Sequence, residues 1–160
     1  MVVGVLLGRR SSHSLEGDDM GNQQNFLDWF INTDELEVCR ALANEMYRKP
    51  GTLSEVELGS LASNLWTMDE GHVSSAVIIL SHHDPVRLLP HLPRLLGDPR
   101  TGVWSAAERA LLLLPKKAIT AQIIREFRSI IMRRSGTSED SYAIKMLVGR
   151  EEMNGDADRK

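Results

Sequence analysis

From Gln23 to Val148, apolar residues recur at three- and four-residue spacing, interrupted only by short turn signals, and never alternate as a half-buried strand would. Such periodicity predicts an all-α chain. A first helix is expected over Gln23–Ile31 and a second over Asp34–Arg48, closed by the Lys49-Pro-Gly-Thr52 turn, since proline disfavours helical geometry before it. Ser54-Glu-Val-Glu57 is a capping box that opens a third helix running to Trp66, and Asp69 caps a fourth that runs to about Ser81. The His82-His-Asp-Pro85 break is followed by a proline-interrupted helix over Val86–Leu96. Three more follow, over Val103–Leu114, Ala118–Arg133 and Glu139–Val148. The short connections predict antiparallel hairpins.

With 160 residues, the chain can bury one domain-sized core. Residues 1–22 are expected to be a disordered head or extension, 23–150 the helical domain, and 151–160 a disordered charged tail. The apolar opening of eight residues is too short to span a bilayer, and its arginines follow it where a secretory signal would place them first. No membrane contact is expected. The single cysteine, Cys39, cannot close an intrachain disulfide, and it sits on the apolar face of its helix as a small core residue would. A reducing, cytoplasmic location fits.

The net charge of −3 conceals a division along the chain. Gln23–Asp84 holds three basic against ten acidic residues, a balance of −7, whereas Pro85–Arg150 holds twelve against five, a balance of +7. If the halves occupy opposite ends, the molecule is a dipole whose ends attract partners of opposite sign.

A shift of thirty residues superposes Val56, Leu58, Leu65, Val73, Ser75 and Ala76 on Val86, Leu88, Leu95, Val103, Ser105 and Ala106. Each unit would be a helix, a tight turn and a second helix, apolar on two sides, so that neighbours must stack to bury it. The segment Pro85–Leu111 resembles a HEAT repeat: a proline inside the first helix, Leu95-Leu96 before the Asp98-Pro99 turn, then Val103 and Ala106-Ala107 in the second helix. The likeness covers that unit well and Val56–Ser81 weakly. Where the family often carries Arg or Lys after the valine, this chain has Trp104. The resemblance implies a HEAT-like α-solenoid, a right-handed superhelix of about three to four hairpins, and a role as a binding scaffold.

Local catalytic motifs are not found. His82, His83 and Asp84 offer metal-ligand chemistry, with His72 and His91 near in sequence, but no i, i+4 histidine pair or His-Glu-x-x-His pattern accompanies them. The histidines at a helix end read instead as partners of its dipole. No cofactor, metal or catalytic residue is expected, and an enzyme with a dispersed site ranks last.

The leading expectation is a non-enzymatic scaffold that binds another protein. One form is a bacterial immunity protein or adaptor that covers a basic toxin domain with Asp34, Glu35, Glu37, Glu45, Glu55, Glu57, Asp69 and Glu70. Trp29, Trp66 and Trp104 are the candidate anchors, because tryptophan dominates binding hot spots. The alternative is nucleic-acid binding through a basic stripe of Lys117, Arg125, Arg128, Arg133 and Arg134, which lies opposite the apolar face Ile119, Ile123, Phe127, Ile130 and Ile131.

Overall fold

The computed structural model describes residues 26–32, 53–137 and 139–155, with side chains through residue 149. The head, the expected second helix with Cys39, the turn at 49–52, the residues Asp34, Glu35, Glu37 and Glu45, and the last five residues of the tail lie outside the described residues. Among those described, regular structure is helical throughout and no strand occurs.

A helical stretch covers 26–31 and ends on Asn32, whose Nδ2 donates to the Asp28 carbonyl at 2.7 Å. Helix α1, Glu55–Ser63, begins as its sequence dictates: Ser54 Oγ accepts from the Glu57 amide, and Glu57 Oε2 accepts from the Ser54 amide at 2.8 Å. Both orphan donors of the first turn are thereby satisfied. Replacing Ser54 with alanine is expected to cost about 1 kcal/mol, read by urea denaturation, because the Glu57 amide then loses its acceptor.

A 3₁₀ turn at Leu65–Thr67 leads to α2, Glu70–His83, capped by Asp69 through the His72 amide at 3.0 Å. The helix runs two residues past the expected end at Ser81, so that His82 and His83 form its last turn and the break begins at Asp84. Burial, and then the neighbouring His83, hold the pKa of His82 below its ordinary 6.5.

The expected helix over Val86–Leu96 divides in two. Pro85–Leu88 forms a 3₁₀ turn, and α3 is only Leu92–Leu96, with Pro93 in its first turn where a missing amide costs nothing. Pro90 accounts for the gap, since a helix running through it would lose a hydrogen bond and clash. Helix α4 runs Thr101–Leu113, then a 3₁₀ turn Lys116–Ala118, then α5, Ala121–Ser135, capped by Thr120. Gly136 closes α5 at φ 66°, the single positive φ among the described residues, which a side chain would resist. Helix α6 is Tyr142–Gly155.

The packing follows a regular order. Helices α1 and α2, α3 and α4, and α5 and α6 pack as sequential pairs, while α2 also lies along α4, α4 along α6, and α3 along α5. The most extensive association is that of α2 with α4, and small buried residues occur on both: Ser75 and Ala76 on one, Ala106, Ala107 and Ala110 on the other. The expected stripe of Val103, Ala106, Ala110 and Leu114 is buried. On α5 the buried residues are Ile124, Phe127 and Ile131, with Ile119, Ile123 and Ile130 packed at the margin. One contiguous core runs from Phe26 to Leu147.

Candidate functional site

The charged residues do more holding than displaying. Arg87 donates Nε to Asp84 at 2.9 Å, Nη2 to the Glu55 carboxylate at 2.6 Å and Nη1 to the Glu55 carbonyl at 3.2 Å. Glu70 accepts from the Gly102 amide at 2.7 Å. Both ties join residues 32 positions apart. The second satisfies an orphan N–H at the start of α4. A Cβ at Gly102 would lie 2.9 Å from Glu70 Oε1 and Ser74 Oγ, so a side chain there would displace the carboxylate that accepts from this amide.

The acidic residues singled out in the sequence therefore have separate duties. Glu57 is buried in its capping box. Glu55, Asp69 and Glu70 are exposed, each engaged at a helix start. Glu55 opens α1 and Glu70 opens α2; these helices pair as an antiparallel hairpin, so the two carboxylates stand at its opposite ends. Asp69 is subject first to burial, which raises its pKa, yet its bonds to the amide and ring of His72 bring it below 3.8.

The tryptophans are brought together with arginines. Trp66, half-buried, has the Arg94 guanidinium 3.9 Å from its ring centroid and His91 at 6.0 Å on centroids. Burial lowers the pKa of His91 below its ordinary value. Trp104, also half-buried, has Arg134 at 4.0 Å. Each stack contributes about 0.5–2 kcal/mol depending on desolvation. Trp66 stands in the turn between α1 and α2 and Trp104 in the first turn of α4, and each is covered by an arginine of the next sequential helix pair, on α3 and on α5, 28 and 30 residues further along the sequence. That spacing is the one sequence signal for Arg94, whose local surroundings carry no mark of a binding residue. Trp29 packs half-buried against the core, 6.4 Å from Phe26 on centroids.

The basic stripe is only partly open. Arg128 is held by Asp140, its Nε donating at 2.7 Å, and Arg134 is committed as described below, whereas Lys117, Arg125 and Arg133 are exposed. Asp140 is held below 3.8, first by its side-chain hydrogen bond from Arg128.

A cleft of ≈ 830 Å³ lies between α3, the turn after it, the start of α4 and the end of α5. Its lining is Pro93, Gly97, Pro99, Trp104, Ile130, Arg133, Arg134 and Ser135. The turn is rigidly built: Asp98 accepts from the Arg100 amide, Nε and Nη2 at 2.8–2.9 Å. Arg134 reaches from the last turn of α5 to donate Nη1 to the Leu96 carbonyl at 2.7 Å and Nη2 to Glu108 at 2.5 Å while covering Trp104. It thus satisfies an orphan carbonyl at the end of α3 and fixes the tryptophan wall.

Asp98 is held below its ordinary 3.8, first by its side-chain bond from Arg100. A depressed carboxyl pKa stabilises the fold above the unfolded value, and that stabilisation is lost as pH falls through the lower folded value. Melting temperature is therefore expected to fall as pH drops below about 3.8, and Asp98→Asn should flatten that acid limb. Circular dichroism melts from pH 6 to 2.5 check it.

Among the described residues, no three of His, Cys, Asp and Glu gather as a metal site would need, and no helix is long and apolar enough to cross a membrane. No family model, curated protein or solved structure matches this chain.

Proposed function

We propose that this chain is a non-enzymatic protein-binding scaffold, built as a HEAT-like α-solenoid. The observation that carries the proposal is the order of packing: corresponding helices of successive hairpins lie against one another, α2 on α4 on α6 and α3 on α5, with ties 32 residues apart at Glu55–Arg87 and Glu70–Gly102. A chain in which each hairpin contacts the next presents long edges and faces rather than one enclosed pocket, and such surfaces suit a macromolecular partner.

In its narrower form, the scaffold neutralises a basic partner, of the kind an immunity protein meets in a toxin domain. It draws on the exposed carboxylates Glu55, Asp69 and Glu70 together with Asp34, Glu35, Glu37 and Glu45. Immobilised full chain should retain a partner that elutes with salt, and charge reversal at Glu35, Glu37 and Glu55 should release it. Glu57 is left unchanged, because its carboxylate closes the capping box. If nothing is retained, the scaffold role falls; if retention survives the reversal, only the acidic-face form does.

Nucleic-acid binding is the second reading, weakened by the engagement of Arg128 with Asp140 and of Arg134 with Glu108. A mobility shift with DNA or RNA that is lost on replacing Lys117, Arg125 and Arg133 would restore it.

A further inference from the structure

The scaffold's cleft at Trp104 has a sign opposite to that of the acidic half. We propose that it is a docking site for an acidic peptide segment carrying an aliphatic or aromatic anchor, a surface that deepens the scaffold role by naming one partner's chemistry. Four apolar residues, Pro93, Pro99, Trp104 and Ile130, form the walls, two guanidiniums stand at one side, and no carboxylate lines it. The volume lies within the roughly 300–1,000 Å³ of typical ligand sites.

The two arginines have different roles. Arg134 is spent on Leu96, Glu108 and the face of Trp104, so it positions the wall. Arg133 is exposed and is tethered through Nε to Ser129 of its own helix at 3.2 Å, leaving its forked end to take a carboxylate. A nucleic-acid strand is disfavoured because the next exposed arginine of α5, Arg125, lies about 12 Å back along the axis at 1.5 Å per residue. That spacing does not track successive phosphates around the cleft. An acidic segment needs one charge-assisted contact beside an apolar anchor, which this lining supplies.

The test is a nitrogen-15 NMR titration of the full chain with three probes. They are an end-capped hexapeptide of four glutamates around a leucine–phenylalanine pair, its lysine counterpart, and a single-stranded oligothymidylate. The acidic peptide should shift the Trp104 indole resonance and the amides of Gly97, Ile130 and Ser135. Arg133→Glu should weaken that binding about tenfold or more with an unchanged melting temperature, and Arg133→Lys should retain most of it. The proposal is overturned if the cleft resonances do not move at millimolar peptide, if binding survives Arg133→Glu, if the lysine peptide binds there equally, or if oligothymidylate binds more tightly. Should the lysine peptide alone bind, at Glu55 and Glu70, this inference falls while the scaffold role stands.

Discussion

Replacing Phe30 with alanine is expected to destabilise the protein by about 3–5 kcal/mol, the largest loss from any single truncation considered. Phe30 is fully buried, its ring stacked on Phe26 at 6.0 Å and meeting the edge of His72 on α2 at 5.5 Å. It fastens the helical stretch 26–31 onto the first hairpin. Removing the ring sacrifices its burial and leaves a void that the surrounding side chains fill only in part. The melting temperature should drop by roughly 10 °C for a chain of this size. Urea denaturation with unchanged m-value is the check; a loss below about 1 kcal/mol would mean that the stretch does not dock as described.

The second large effect is at Arg134. Truncation to alanine is expected to cost about 2–4 kcal/mol, because it leaves the Glu108 carboxylate and the Leu96 carbonyl without their donor and uncovers Trp104. The pair is mostly shielded, with side chains 16% and 19% exposed, so solvent replaces the lost bonds poorly. Arg134→Lys should recover only part of the loss, since an ammonium cannot serve both acceptors and stack on the ring together. Its neighbour Arg133 provides the internal standard: exposed and bonded within its own helix, it should change stability by less than about 0.5 kcal/mol on truncation. Tryptophan emission in the Arg134 variant should move as the ring of Trp104 becomes wetter. Equal stability of the two variants would refute the positioning role of Arg134.

Charge counted along the chain overstated what the surface offers. Glu57 and Arg134 each counted toward a patch, yet one closes a capping box and the other ties α5 to both α3 and α4. A residue's sign is written in its identity; whether that charge faces solvent depends on what lies within the reach of one long side chain. The tie from Arg134 crosses 38 positions to Leu96 and 26 to Glu108, distances over which no local pattern operates.

What the sequence determined alone was helicity and punctuation. The apolar spacing, the box at Ser54, the caps at Asp69 and Thr120, the prolines that divide Val86–Leu96, and the glycine after Ser135 all act within one or two turns. Backbone geometry and the nearest hydrogen-bond partner decide such features, so residues adjacent in sequence suffice. Tertiary structure alone decided which arginine covers which tryptophan, which carboxylate remains exposed, and that Pro93, Trp104, Ile130 and Arg133 share one cleft. Those outcomes depend on the offsets between packed helices, and an offset of a few ångströms, the rise of two or three residues, exchanges one side-chain partner for another.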